Sequence, residues 1–265
     1  MFIKISKKIA LCVEYDGTKY HGWQRQADAL SIQEELEHAL SQIANHSINV
    51  FCAGRTDAGV HSTGQIVHFK TNTQRSIEAW TSGVNTNLPD SISIIWAKVV
   101  SDKFHARFSA TARRYRYIIY NNHLRPSIFI NGLAHIHYPL DEKKMEHAGS
   151  FLIGEHDFTS FCDSSSQLSN HRRNLIHLNV IRQGKYVVID VKANAFLYHM
   201  VRNIVGNLID IGCGKKSSSW MKTLLLAKNR ILGLATAKAK GLYLVEVDYP
   251  LCFCLPKSPI GPLFF

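Results

Sequence analysis

The amino-acid sequence predicts an α+β fold, and two observations support this prediction. Segments that alternate polar and apolar residues, typical of strands, recur along the chain, and segments with apolar residues every three or four positions, typical of helices, stand between them. The 265 residues are 46% hydrophobic, which is enough for one large core or for two units of about 100 to 150 residues each. We expect two domains, residues 1–103 and residues 104–265.

In the first half, the predicted elements follow the order strand, helix, strand, strand, helix, strand. A capping box from Ser31 to Glu34 opens the first helix, and Ile32, Leu36 and Leu40 line one face of it. Strands are predicted at residues 9–13, 50–53, 65–69 and 92–99, and helices at residues 32–43 and 77–84. This order is typical of a ferredoxin-like unit.

The second half contains a similar set of elements. Strands are predicted at residues 104–108, 113–120, 175–182, 186–192 and 242–247, and helices at residues 141–152, 197–211 and 219–228. We therefore expect two ferredoxin-like halves that share a central, mainly antiparallel sheet flanked by helices.

The charge of the chain favours a polyanionic partner. The 31 Lys and Arg residues exceed the 20 Asp and Glu residues, which gives a net charge of +11 and a pI near 9.4. A basic protein that has no such partner is the alternative.

Three features predict a cytoplasmic protein with no membrane role. The Lys-rich start of the chain is not followed by an apolar stretch of signal-peptide form. The most hydrophobic helical stretch, residues 196–211, is too short and too polar to span a bilayer. The six cysteines form no CxxC pair, which fits a reducing compartment.

One run of nine residues, from Ala53 to His61, places a carboxylate next to a guanidinium in a glycine-flanked loop between two predicted strands. Gly54 and Gly59 permit close approach of a bulky ligand to Asp57. This layout is typical of an active site. The alternative is a hairpin turn in which Asp57 accepts hydrogen bonds from backbone amides and Arg55 is its ion-pair partner at the surface.

This run resembles the signature loop of the TruA family of tRNA pseudouridine synthases. The likeness extends over nearly the whole chain, through residues 13–26, 104–110, 113–117 and 261–264. It implies the pseudouridine synthase fold, a homodimer with a basic cleft for tRNA, and conversion of uridine to pseudouridine at positions 38, 39 and 40 of the anticodon stem and loop. The reaction oxidises nothing, so we expect no metal and no other cofactor.

The resemblance also implies roles for particular residues. Asp57 matches the catalytic nucleophile, and Arg55 matches a residue that positions the substrate. Tyr115, Arg202 and Leu242 match the tyrosine, the basic residue and an apolar residue of the family's active site. We therefore expect Asp57 to be the catalytic residue. Four residues are expected to bind the substrate, namely Arg55, Tyr115, Arg202 and Leu242.

The residues themselves are compatible with these roles. Alternation along the strand puts Tyr115 on the face opposite Arg114 and Arg116, where its ring can stack on a uracil. Packing at the sheet edge is the alternative. Arg202 falls on a half-buried flank of its helix, where it can pair with Asp57 or hold a substrate phosphate. An Arg that extends to solvent is the alternative.

Three other functions were weighed against a pseudouridine synthase. Two of them fit the sequence less well, and the third fits its charge equally well. The fourteen histidines show no metal-ligand spacing, which argues against a metal-assisted hydrolase. A glycoside hydrolase needs two facing carboxylates, whereas arginine neighbours Asp57. A non-catalytic RNA-binding protein fits the charge equally well. Only the loop around Asp57 favours the enzyme.

The sequence departs from the family pattern after Phe161. Residues Cys162, Asp163 and Ser164–Ser166 stand where relatives usually carry an Arg-Ala pair, so one cation that faces RNA is missing. We expect Arg172 and Arg173 to compensate for it.

Overall fold

The computed structural model describes residues 6–163 and 169–262. This part of the chain forms two compact units. The first unit takes the residues up to Thr111 and again those from Leu244 onward, and the second unit is Ala112–Tyr243. The domain boundary expected from the sequence, between residues 103 and 104, stays a prediction.

The first unit follows the predicted order of elements. Its elements are β1 (Lys7–Tyr15), α1 (Ile32–Ala44), β2 (Phe51–Cys52), β3 (His61–Thr71), a helix with π-type hydrogen bonding at Ala79–Gly83, and β4 (Ile92–Val100). β1 is antiparallel to β3 and β4, and β2 is antiparallel to β3. The mixed α+β class with mainly antiparallel strands is confirmed.

Helix α1 begins and ends for reasons that its sequence contains. The Ser31 hydroxyl accepts a hydrogen bond from the Glu34 amide at 3.4 Å, so the predicted N-cap is present. The helix ends at Asn45, which takes the left-handed conformation that asparagine tolerates well. Ile32, Leu36 and Leu40 are fully buried in the core formed with β1 and β3.

The other face of this sheet is covered by chain segments that are far apart in sequence. Ala10, Cys12 and Ile66 pack in one cluster with Phe104 and Ala106. Residues that follow Leu244 complete the cluster, namely Val247, Tyr249, Phe253 and Leu255. The strand β10 (Leu242–Asp248) lies beside β3 from Leu244 onward, where the Ser62 hydroxyl donates to the Leu244 carbonyl at 2.8 Å.

The strand predicted at residues 104–108 is wrong, because these residues form a turn. Their apolar and polar residues alternate as in a strand, but only Phe104 and Ala106 are buried, and hydrogen bonds from distant residues hold the segment. The Lys8 ammonium donates to the Phe104 carbonyl at 2.6 Å, and the Ala106 amide donates to His68 Nδ1 at 3.1 Å. The Ser109 amide closes the turn on the His105 carbonyl.

The second unit contains the remaining elements. They are β5 (Ala112–Asn121), β6 (Ala134–Ile136), α2 (Glu142–Ser150), β7 (Gly154–Asp157), β8 (Arg172–Gln183), β9 (Tyr186–Ala193), α3 (Met200–Gly212), α4 (Trp220–Ala227) and the first residues of β10. β9 lies between β5 and β8 and is antiparallel to both. Every helix and strand predicted between residues 113 and 247 is present, whereas the short strands β6 and β7 were not predicted.

A buried carboxylate joins the three central strands of this unit. Asp190 on β9 is 2% exposed. It accepts two hydrogen bonds from Arg114, at 2.7 and 2.8 Å, and one from Arg116 at 2.8 Å. His177 on β8 lies 2.9 Å from it. Burial raises the pKa of Asp190, but the hydrogen bonds from Arg114, His177 and Arg116 outweigh it and lower that pKa to about 2.

Asp190→Asn should lower the free energy of unfolding at pH 7 by about 3 to 5 kcal/mol, because two guanidinium groups lose the anion that compensates their burial. Asp190 has a folded pKa of about 2, and an unfolded aspartate titrates near ~3.9. Its contribution is therefore present above about pH 4 and is lost as the pH falls towards 2. Urea unfolding of both proteins at pH 7, 4 and 3 measures this loss.

Asp28→Asn is the matched control, because Asp28 is exposed. That variant should stay within about 0.5 kcal/mol of the wild type at each pH. A difference between wild type and Asp190→Asn that did not shrink below pH 4 would contradict the assignment.

Candidate active site

The loop of residues 53–60 connects β2 to β3 and carries Arg55 and Asp57. Its entrance is fixed by β3, since the Ala53 amide donates to the Ile66 carbonyl at 2.8 Å. The buried Gln65 side chain bonds both polar groups of the Gly54 backbone, accepting from its amide at 3.4 Å and donating to its carbonyl at 2.6 Å. Arg55 therefore follows a backbone that is held on both sides.

Thr56 anchors the middle of the loop. Its side chain is buried, and its hydroxyl lies 2.8 Å from the Tyr15 hydroxyl. Its carbonyl accepts a hydrogen bond from the Trp23 amide at 3.0 Å. One residue on, the Asp57 carbonyl accepts from the Val60 amide at 3.1 Å and closes a tight turn. Asp57 thus occupies a turn that is held from both ends.

The segment that follows β1 packs directly against this turn through two glycines. A Cβ on Gly17 would lie 2.0 Å from the Val60 carbonyl oxygen, and a Cβ on Gly22 would lie 2.7 Å from the Thr56 carbonyl oxygen. Gly22 also has φ of +94°, which disfavours any other residue. The Gly17 amide lies 3.1 Å from His61 Nδ1. This role of Gly17 and Gly22 was not predicted from the sequence, although both glycines lie in segment 13–26, which carries part of the family resemblance.

The side chains of Arg55 and Asp57 differ in exposure. Arg55 is exposed, and Asp57 is half-buried. The Arg55 charge reaches Cys52, where burial raises the pKa of the thiol to about 11 and the guanidinium opposes that rise. The loop therefore presents a cation to solvent and holds its carboxylate in a partly enclosed place.

Tyr115 lies on β5 in the second unit, opposite Val191 of β9. Its ring is buried and meets the ring of Phe196 edge to face, with centroids 5.1 Å apart and planes at 88°. Its neighbours Arg114 and Arg116 bind Asp190 instead. The predicted alternation along this strand is confirmed.

Arg202 lies in the first turns of α3 and is half-buried, as predicted. Its Nε donates to the Ala237 carbonyl at 2.8 Å, and its own carbonyl accepts from the Ala237 amide at 3.1 Å. A Cβ on Gly206 would lie 2.0 Å from the Ala235 carbonyl oxygen, so this segment is in close contact with the helix. The guanidinium is thereby held in place from its Nε side.

Asn203, a buried residue on the same helix, holds the chain segments around Arg202 in place. The sequence did not predict this role. Its Nδ2 donates to the Phe161 carbonyl at 2.8 Å. Its Oδ1 accepts from the Thr236 hydroxyl at 2.7 Å and from Arg230 at 3.0 Å. Asn203 thereby holds the segment that contacts Arg202. An asparagine between apolar positions of a helix is the signal that could have identified it.

Leu242 is buried at the start of β10. It follows Gly241, where a Cβ would lie 2.8 Å from the Ile118 carbonyl oxygen. Close by, the Tyr117 hydroxyl donates to the Lys238 carbonyl at 2.8 Å. Leu242 is thus an apolar side chain on a backbone that packs tightly against β5.

The divergent segment after Phe161 is described in part. Asp163 accepts a hydrogen bond from His199 at 2.8 Å, whereas Ser164–Ser166 lie outside the described residues. Arg172 is exposed and pairs with Glu155 at 3.1 Å. Burial lowers the pKa of Arg173, which donates to the carbonyls of Asn170 and Arg172.

Two further features concern metal ligands and membrane-spanning helices. Among residues 6–163 and 169–262, no group of three or more His, Cys, Asp or Glu side chains could hold a metal ion. In the same ranges, no helix combines the length and the apolar character needed to cross a membrane. All six cysteines are free thiols.

Comparison with known proteins gives consistent matches. A family model described as tRNA pseudouridine synthase matches residues 11–109 and 148–250. The tRNA pseudouridine synthase A of Cronobacter sakazakii (strain ATCC BAA-894) is 62% identical over 257 residues, which cover 97% of this chain and 95% of that protein. The tRNA pseudouridine synthase A of Vibrio atlanticus (strain LGP32) is 61% identical and covers 97% of each.

A solved structure described as a Cbf5-Nop10-Gar1 complex aligns with 89% of this chain and 57% of that chain. The sequence identity is 12% and the TM-score is 0.37, values that support no conclusion about function.

Gly22→Ala should destabilise the turn around Asp57, because the new methyl group meets the Thr56 carbonyl oxygen. We expect the free energy of unfolding to fall by about 2 to 5 kcal/mol, the sum of a left-handed alanine and of overpacking. Amide hydrogen exchange should become faster in residues 54–60. Urea unfolding and exchange mass spectrometry measure both effects.

Gly214→Ala is the matched control. Gly214 also has a positive φ, of +81°, but nothing lies within 4 Å of its Cβ position. This variant should lose only about 1 to 2 kcal/mol, and exchange in residues 54–60 should not change. Equal effects of the two substitutions would show that the close contact at Gly22 does not support the loop.

Proposed function

Since the chain belongs to the tRNA pseudouridine synthase family, we propose that Asp57 is the nucleophile with which it converts uridine to pseudouridine at positions 38, 39 and 40 of tRNA. Membership of the family makes the chain an isomerase that acts on uridine in tRNA. The half-buried position of Asp57, in a turn held by Thr56, Gly17 and Gly22, supports its role most strongly.

The isomerisation needs few chemical groups. The bond from N1 of uracil to C1′ of ribose breaks, and a bond from C5 to C1′ forms. C5 loses a proton and N1 gains one, so no electron acceptor is consumed. A single carboxylate can attack ribose C1′, attack uracil C6 or assist a glycal route, and each route leaves the uracil free to rotate before the new bond forms. Asp57 supplies this carboxylate.

Arg55 positions the substrate in this proposal. The target uridine must leave its base stack, at a cost of a few kcal/mol. An exposed guanidinium can occupy the vacated space, stack on the neighbouring bases and bind a phosphate, and arginine is better suited to all three than lysine. The exposure of Arg55, two residues from Asp57, supports this role.

Tyr115, Arg202 and Leu242 complete the set of substrate-binding residues. The contact with Phe196 fixes the plane of the Tyr115 ring, which suits it to hold a uracil. The bond from Nε to Ala237 fixes the Arg202 guanidinium plane, which suits it to hold a charged group of the substrate. Leu242 supplies an apolar surface that excludes water.

We also propose that the enzyme acts as a homodimer in the cytoplasm and binds the anticodon stem and loop of its tRNA partners. Family membership and the net charge of +11 support the RNA partner. Six free thiols support a reducing compartment.

Asp57→Asn should abolish pseudouridine formation in anticodon-arm RNA, with kcat reduced on the order of 10⁴-fold or more, because the amide is a poor nucleophile. RNA affinity should stay close to that of the wild type. Site-mapped pseudouridine analysis at positions 38 to 40, with EDTA present, measures the first effect, and fluorescence anisotropy measures the second.

Asp90→Asn is the control, because Asp90 is an exposed carboxylate in the same unit. It should retain wild-type activity. If the wild type bound the RNA and left uridine unchanged, the chain would be a non-catalytic RNA-binding protein or would act on another RNA.

Arg172→Ala combined with Arg173→Ala should weaken tRNA binding, because we propose that these cations replace the one missing from the divergent segment. The slope of log K against log salt should fall by about 0.7 to 0.9 for each lost phosphate contact. Anisotropy titrations between low and high salt measure the slope.

The control pair is Lys143→Ala with Lys185→Ala, since both lysines are exposed and the change in net charge is the same. This pair should bind tRNA more tightly than the arginine pair does. Wild-type affinity in the arginine pair would exclude their compensating role.

A further inference from the structure

The first unit presents large aromatic side chains to solvent. Phe108 is 77% exposed and Phe51 is 54% exposed. His105 lies between them, with ring centroids 4.4 Å from Phe108 and 5.5 Å from Phe51. Arg107 lies over Phe108, 5.7 Å from its ring centroid. We call these four residues, Phe51, His105, Arg107 and Phe108, the aromatic platform.

Hydrogen bonds hold the backbone of the turn that carries His105, Arg107 and Phe108. His105 Nδ1 accepts hydrogen bonds from the amides of Arg107 at 3.1 Å and of Phe108 at 3.3 Å. The Tyr249 hydroxyl donates to the Ala106 carbonyl at 2.6 Å. Phe104, fully buried, fixes the start of the turn against Tyr249 and Phe253. An exposed ring on a backbone this well held loses little entropy when it binds a flat ligand.

The surroundings of the aromatic platform are cationic. Arg107 and Lys70 are exposed, and the Lys8 ammonium is held below the turn. Burial, together with the charges of Lys8 and Arg107, lowers the pKa of His105. The imidazole is therefore neutral at pH 7 and stacks as an aromatic ring. Flat rings among cations are the combination with which proteins bind single-stranded nucleic acid.

The aromatic platform adjoins the loop that carries Arg55. Phe51 and Cys52 form β2, which leads into that loop. The charges of both Arg55 and Arg107 act on the Cys52 thiol. Both guanidinium groups are therefore close enough to Cys52 of β2 for their charges to act on its thiol.

We propose that the aromatic platform stacks an unpaired base of the substrate RNA, next to the uridine that reacts, while Arg107 binds a phosphate of the same strand. This inference rests on the proposed function. The platform positions the substrate and takes no part in the chemical step.

The test uses Phe108→Ala and Phe51→Ala in the full chain. Loss of a stacked base should raise the Kd and the KM for anticodon-arm RNA roughly 5- to 150-fold, with kcat at saturation unchanged. Phe108→Trp should restore binding, because any flat ring can stack. Kd is measured by anisotropy in the Asp57→Asn background, and KM and kcat are measured in the active enzyme.

A set of RNAs with one abasic residue at successive loop positions identifies the stacked base. At that position, the abasic RNA should bind wild type as weakly as intact RNA binds Phe108→Ala, and the two changes together should add no further loss. The control variant is Val99→Ala, which shortens an exposed apolar side chain on β4 of the same unit. It should bind like the wild type.

Three outcomes would overturn the inference. Binding by Phe108→Ala and Phe51→Ala equal to that by Val99→Ala would show that neither ring contacts RNA. Additive losses at every abasic position would exclude stacking. A change in molecular mass of Phe108→Ala, measured by light scattering, would identify the platform as a contact between copies of the chain. If the wild type itself formed no pseudouridine, the proposed function would fail, whereas the binding measurements would still decide whether the platform stacks a base.

Discussion

The close contact between the segment after β1 and the turn around Asp57 is the constraint on which the candidate site depends. At Gly17 and Gly22 two pieces of backbone approach so closely that no side chain fits between them. Such a contact fixes position more strictly than side-chain packing, because a peptide plane cannot change rotamer. Hydrogen bonds from Trp23 and Tyr15 to Thr56 then fix the backbone from which the side chain of the next residue, Asp57, extends.

The second unit achieves order by a different means, namely buried polar groups that are fully bonded. Asp190 joins β5, β8 and β9 through Arg114, Arg116 and His177. Asn203 joins α3 to the segments that contain Phe161 and Thr236. Each group would be costly to bury without its partners, so each specifies one arrangement of the elements around it. Arg202 gains a fixed carbonyl partner from this arrangement.

The sequence predicted the elements whose causes are local. The N-cap at Ser31 and the apolar face of α1 are readable within one helix, and the alternation around Tyr115 within one strand. Contacts between residues far apart in sequence were not readable. The sequence of residues 104–108 alternates like a strand, but hydrogen bonds with Lys8 and His68 hold it as a turn. Both partners lie more than 35 positions away. Likewise, the motif that contains Arg55 and Asp57 was enough to identify them. The role of Gly22 was not readable, because it depends on a contact with Thr56, which is distant in sequence.

The first unit is completed by residues from the other end of the chain. Val247, Tyr249 and Phe253 cover the sheet face that carries Ala10, Cys12 and Ile66. During synthesis on the ribosome, Phe104 and Ala106 can cover this face only in part until the whole of the second unit has been translated. The second unit, a continuous segment, can fold earlier. Ala53, the first residue of the loop with Asp57, belongs to the same cluster, so the start of that loop is fully packed only when nearly all of the chain has left the ribosome.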